Sequence, residues 1–126
     1  MKEQEAKQLN LSESEYRLMD LIWRTEPVNS TELVRLALQE LGWKKSTTYT
    51  VLKKLAEKQA LCNEQAQVRS LVKKEKVIRY ESDTLLKKSF GGSVPDFVAA
   101  FLKDRKLTKQ EALRLQHLIE EATEEQ

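Results

Sequence analysis

The chain has one cysteine, one histidine, three glycines and two prolines in 126 residues. Each scarcity excludes something. A lone Cys62 forbids an intrachain disulfide and reads as a small strand residue. His117 lies between Gln116 and Leu118 without a second His or a Cys at ligand spacing, so no metal site is expected. The same single histidine leaves no Ser/His/Asp or Cys/His set for nucleophilic catalysis. Gly91-Gly92 lacks the Lys-Ser/Thr partner of a phosphate loop. No cofactor and no enzymatic activity are expected. Few glycines and prolines argue against a disordered or all-β chain. There is no signal segment and no apolar run long enough for a bilayer, so direct membrane insertion is not expected and the chain reads as cytoplasmic. Aromatics are only 6% of the residues, and Trp23 and Trp43 read as core and helix-end packing rather than as base-stacking platforms.

What the chain has is charge, unevenly placed. The total is only +2, yet residues 1–43 carry net −3, residues 44–79 net +7, and residues 80–126 net −2. A basic middle third between two acidic ones suggests a face for a polyanion.

The basic third contains Lys44-Lys45-Ser46-Thr47-Thr48-Tyr49-Thr50-Val51-Leu52-Lys53-Lys54-Leu55. Thr48, Val51, Leu52 and Leu55 fall at helical spacing and predict one buried face, with Ser46 as the cap. Thr47, Tyr49, Thr50, Lys53 and Lys54 remain for the other faces, and those types reach base edges and phosphates. An amphipathic helix with a solvated lysine face has the same pattern, so the neighbours decide.

Residues 1–10 are polar and are expected to fray. Ser12-Glu13-Ser14-Glu15 is a capping box, with Leu11 and Tyr16 placed as its hydrophobic staple. Tyr16, Leu18, Met19, Ile22 and Trp23 predict a first amphipathic helix, which Glu26-Pro27 stops. Val28-Asn29 is a link able to donate a short strand. Ser30-Thr31-Glu32 opens a second helix carrying Leu33, Leu36, Ala37 and Leu41, and Gly42 ends it. Two helices joined by a few residues, the second hydroxyl-rich and flanked by lysines, form a helix-turn-helix candidate. Two short strand patterns follow, 60–64 and 68–72, turning at Glu64-Gln65-Ala66-Gln67. A hairpin after a recognition helix is a wing, and Arg69, Lys73 and Lys74 on or near it suit a phosphate backbone. Val77-Ile78-Arg79-Tyr80 fits either a strand or a helix start, and the periodicity of 76–90 favours a helix.

Gly91-Gly92 ends that element. Ser93-Val94-Pro95-Asp96 restarts a helix whose Phe97, Val98, Ala100, Phe101 and Leu102 are strongly apolar. Thr108-Lys109-Gln110-Glu111 is a further capping box. It precedes a helix with Ala112, Leu115, Leu118, Ile119 and Ala122 on one face. Glu120, Glu121, Glu124 and Glu125 oppose the dipole at its end, which is expected to fray. Two helices this short and apolar either fold back or pack on another copy.

Three segments together resemble the penicillinase-repressor family, which includes β-lactamase, methicillin-resistance and copper-transport repressors. They are Leu11-Ser12-Glu13-Ser14-Glu15-Tyr16-Arg17-Leu18-Met19-Asp20-Leu21-Ile22-Trp23, then Ser46-Thr47-Thr48-Tyr49-Thr50-Val51-Leu52-Lys53-Lys54-Leu55, then Phe90-Gly91-Gly92-Ser93-Val94-Pro95-Asp96-Phe97-Val98-Ala99-Ala100-Phe101. The resemblance implies a mainly α, α+β chain, with a flexible N-terminus (1–10), a winged helix-turn-helix domain (11–74), and a connecting helix with a helical dimerisation domain (75–126). It implies a homodimer on a double-stranded, inverted-repeat operator that blocks transcription. By position, Thr47, Tyr49 and Thr50 would face bases. Lys44, Lys45, Ser46, Lys53, Lys54 and Arg69 would serve the backbone. Phe97, Val98, Phe101, Leu102, Leu115, Leu118 and Ile119 would form the dimer contact.

Three departures from the family pattern stand out. Tyr49 replaces an Arg found in some relatives, which removes a bidentate guanine contact. Antibiotic-sensing members answer a membrane sensor/protease system by cleavage between an Asn and a Phe. The matching pair here, Ala100-Phe101, is the candidate inactivating cleavage site and lacks the Asn. Copper-responsive members use paired cysteines near the C-terminus, and no cysteine follows Cys62. Two other readings stay open beside the repressor: a winged helix used as a protein–protein module, and a double-stranded RNA or general nucleic-acid binder.

Overall fold

A computed structural model describes residues 2–124; Met1, Glu125 and Gln126 lie outside the described residues, and with them the expectations for Met1 and Glu125. The chain divides into two compact units, Met1–Thr84 and Leu85–Gln126.

The first unit begins with helix α1 (Lys2–Leu9), where the polar composition predicts a frayed lead. The helix forms because Leu9, its last residue, is 8% exposed and joins the core. Helix α2 (Glu13–Thr25) has the expected capping box: the Glu15 N–H donates to Ser12 Oγ at 3.2 Å and the Ser12 N–H to Glu15 Oε1 at 2.7 Å. Its Leu18, Met19, Leu21 and Ile22 are fully buried and form the centre of the core. Strand β1 (Val28–Asn29) follows, then helix α3 (Ser30–Leu41). The cap of α3 is Asn29, whose Oδ1 accepts from the Thr31 N–H at 2.9 Å. Gly42 ends α3 in the left-handed region (φ 69°), which a glycine adopts without a Cβ clash.

Helix α4 (Lys45–Glu57) packs against α2 and α3 through Thr48, Val51, Leu52 and Leu55. Its end is a Schellman turn built without glycine. Gln59 takes φ 63°, its N–H donates to Ala56 O at 3.0 Å, and the Ala60 N–H donates to Leu55 O at 2.9 Å. Strands β2 (Leu61–Glu64) and β3 (Gln67–Ser70) then form the hairpin. Gln65 and Ala66 both have positive φ, the geometry of a two-residue mirror-image turn, here again without glycine. The sheet is antiparallel in the order β1-β3-β2, so Val28-Asn29 does donate a strand, pairing Val28 with Val68.

Long-range contacts tie α2 and its C-cap to the last residue of β3 and to the chain that follows it. The Trp23 indole N–H donates to Val72 O at 3.0 Å, and its ring meets Tyr16 edge-on at 5.7 Å. Glu26 accepts from the Ser70 N–H at 2.7 Å and from the Ser70 hydroxyl at 2.8 Å. Lys74 Nζ reaches Asp20 at 3.1 Å.

Helix α5 (Lys74–Phe90) resolves the ambiguity at Val77–Tyr80 as helix, with Val77 fully buried. The division between the units falls inside α5, between Thr84 and Leu85. In the second unit, Gly91 and Gly92 turn the chain at φ 55° and 84°. Helix α6 (Val94–Leu102) is capped by Ser93, with Pro95 and Asp96 in its first turn. Helix α7 (Lys109–Ala122) has the expected Thr108/Glu111 capping box. Among the described residues, no helix is long and apolar enough to cross a membrane.

Candidate nucleic-acid interface

The start of α4 differs from expectation in one respect. Ser46 is not its cap. Lys44 holds the cap position, extended at ψ 154°, and makes no side-chain cap bond. The chain is already helical at Lys45, because the Thr48 N–H donates to Lys44 O at 3.1 Å and Thr48 must reach the core. Among the described residues, no side chain caps the first-turn N–H groups of α4. The positive end of the helix dipole is left open beside two lysines.

At about 100° per residue, the buried stripe fixes where every other side chain stands. Ser46, Thr50 and Lys53 occupy the outermost face. Thr47 and Lys54 lie on one flank, and Lys45 and Tyr49 on the other. Thr47 and Tyr49, grouped together by residue type, are thus roughly 160° apart around the axis. A shallow groove beside the first flank is lined by Ser12, Ser14, Glu15, Ser46, Thr47, Thr50, Val51 and Lys54. On the second flank Lys45 Nζ sits 6.0 Å from the Tyr49 ring centroid, the outer range of a cation–π contact. The Thr50 hydroxyl donates to Ser46 O at 2.9 Å, so Thr50 presents a methyl group and acceptor lone pairs outward.

Charges in the first unit sort by location. Basic side chains that join elements are paired: Lys58 with Glu15 at 2.5 Å, Arg24 with Glu40 at 3.1 Å, Lys74 with Asp20 at 3.1 Å. Arg35 pairs with Glu32 within α3. Lys44, Lys45, Lys53 and Lys54 are exposed and have no carboxylate partner among the described residues. On the hairpin, Cys62 and Arg69 are cross-strand partners, and Arg69 Nε donates to Cys62 Sγ at 3.4 Å. Arg69 therefore lies one residue from the hairpin base, with Gln67 and Glu64 nearer the tip. The tip itself is tied down: the Ser30 N–H donates to Ala66 O at 2.8 Å.

Sequence reading missed the Glu15–Lys58 pair and the outward position of Ser46. Glu15 is buried, and burial works against its charged form. The hydrogen bond from Lys58 and those from Ser12 outweigh burial, and its carboxyl is held below the usual value. The Lys58 ammonium also donates to Asn10 O at 2.8 Å. The capping box of α2 and the last turn of α4 are thereby one polar knot.

The second unit presents an apolar surface. A groove is lined by Phe97, Val98, Phe101, Leu102, Leu107, Leu115 and Leu118, with Glu111 and Arg114. Six of the seven residues expected at a dimer contact line it. The seventh, Ile119, is 54% exposed outside it. Phe90, Phe97 and Phe101 form a ring series at 5.3 and 6.0 Å, and the Arg105 guanidinium lies 4.3 Å from the Phe101 centroid. The Ala100–Phe101 peptide lies within α6. His117 Nε2 is 2.7 Å from Glu121, and no metal-binding cluster occurs among the described residues.

The family model described as "Penicillinase repressor" matches residues 11–121. The chain belongs to the penicillinase repressor family. It is 26% identical over 116 residues to a "Penicillinase repressor" of Bacillus licheniformis, covering 88% of this chain and 90% of that protein. Family membership supports a role in transcription regulation as a DNA-binding repressor, and the family is not one of enzymes.

Proposed function

We propose that the protein represses transcription as a homodimer, placing α4 of each copy in successive major grooves of an inverted-repeat operator. The carrying observation is the rim of lysines on α4 without carboxylate partners, beside an uncapped helix N-terminus. Counterion release by such a rim supplies affinity, and the hydroxyls between the lysines supply selection. In this reading Thr50 and Tyr49 face bases, and the Thr50 methyl suits a thymine methyl. Thr47 faces a base edge from the α2 flank, and Ser46, on the outermost stripe, joins them rather than the backbone set. Lys44, Lys45, Lys53, Lys54 and Arg69 meet phosphates. The apolar faces of α6 and α7 supply the second copy's docking surface. Cleavage between Ala100 and Phe101 by a membrane-linked protease would cut α6 near its end and relieve repression. The bond's helical setting requires local unwinding first.

The test is binding to duplex DNA from upstream of the protein's own gene. Tyr49→Ala should relax preference among operator variants. Lys53→Ala should weaken all variants alike and lower the salt slope by about one. Identical behaviour of the two variants contradicts the assignment of roles. The exposed apolar groove also favours a second reading, a protein–protein module. A monomer in sedimentation with no duplex affinity at low salt would support that reading instead.

A further inference from the structure

Helix α1 precedes the family match, which begins at residue 11. It nevertheless makes specific contacts with the junction between α4 and the hairpin. Gln8 Nε2 donates to Gln59 O at 2.9 Å, and Gln59 is the left-handed residue that ends α4. Leu9 is buried in the core, and the Asn10 carbonyl accepts from Lys58, the C-cap of α4. The chain leaving the hairpin faces the same helix across a groove lined by Gln8, Leu9, Leu71, Val72 and Lys73, among others. The hairpin base is closed there by Leu71 N–H donating to Ala60 O at 2.8 Å.

We propose that Lys2–Leu9 is a positioning element for the DNA interface, setting the angle of the β2–β3 hairpin against the end of α4 through Gln8. The proposal deepens the DNA-binding reading and rests on it for its consequence. A turn with a non-glycine residue at positive φ is strained. Holding the carbonyl of that same residue fixes the Gln59–Ala60 peptide plane, one residue before β2 begins. A shift there moves Arg69, on the outer hairpin face, away from its phosphate. Gln8 is a positioning residue, since it acts on DNA only through the hairpin.

Amide hydrogen exchange on the full chain gives the first readout. Gln8→Ala should speed exchange at the Leu71 N–H about tenfold while α3 amides stay unchanged. An unchanged Leu71 rate overturns the proposal, whatever the chain binds. The second readout is a double-mutant cycle on a duplex that the unmodified chain binds. Gln8→Ala and Arg69→Ala should each weaken binding about fivefold, and the double variant should be no weaker than Arg69→Ala alone. Additive losses overturn the proposal, because α1 would then act elsewhere than through the hairpin. Failure of the unmodified chain to bind any duplex rejects the DNA reading and leaves the exchange result to decide this one.

Discussion

The two units treat their apolar helix faces in opposite ways. In Met1–Thr84, side chains from every helix after α1 reach complete burial, from Leu18 on α2 to Val77 on α5. In Leu85–Gln126, no residue of α6 or α7 is buried, although α6 is among the most apolar stretches of the chain. Phe101, Leu118 and Ile119 are each about half exposed, at 53%, 49% and 54%, and Leu113, on the other side of α7, is 57% exposed. A face of this kind marks an interaction surface. The first unit thus has a closed core of its own and α6 and α7 have none; under the homodimer proposed above, the second copy would complete it.

Introducing charge into that face should have the largest effect. Leu118→Glu repeats its charge on both sides of a two-fold interface. It should abolish the dimer in sedimentation and reduce operator affinity by orders of magnitude, while unit one keeps its thermal transition. Next come paired truncations. Leu18→Ala in the core should cost about 2–5 kcal/mol in denaturant unfolding. Leu113→Ala should change the first unit's transition by less than about 0.5 kcal/mol. Equal effects would erase the distinction between the units.

A smaller effect belongs to Glu15. Its carboxyl is held below its ordinary value in the folded state, so the unfolded chain binds the proton more readily. The stabilisation is fully present above the ordinary glutamate range and is lost as pH falls through the lowered folded value. Glu15→Gln should cost roughly 1–3 kcal/mol at neutral pH and flatten the acid limb of the stability profile. The smallest change is a gain. Thr48 is fully buried, and its hydroxyl has no hydrogen-bond partner among the described residues. Thr48→Val should stabilise by about 1 kcal/mol without altering DNA preference, since Thr48 faces away from the groove.

Capping motifs explain why so much of this architecture is legible in the sequence. Ser12/Glu15, Ser93/Asp96 and Thr108/Glu111 declare three helix starts through bonds spanning three residues. The same rule fails at Ser46, because burial of Thr48 sets the start of α4 at Lys45 instead. Long-range partners leave no local trace. Nothing around Glu15 announces Lys58, and nothing around Glu26 announces Ser70. Gln59, Gln65 and Ala66 take positive φ without the glycine that would signal it. Helix α1 escapes notice for a related reason: one buried leucine at its end and one glutamine contact hold a polar segment in place.

In the proposed arrangement, a self-sufficient DNA-binding unit is brought to its target in pairs by a unit that is incomplete alone. The direct measurement compares an inverted-repeat duplex from upstream of the gene with a duplex carrying one half-site, across a range of salt. Two chains on the full repeat, much tighter binding there than on the half-site, and a steeper fall with salt are expected. Equal affinity and equal salt slope for the two duplexes would contradict the proposed arrangement.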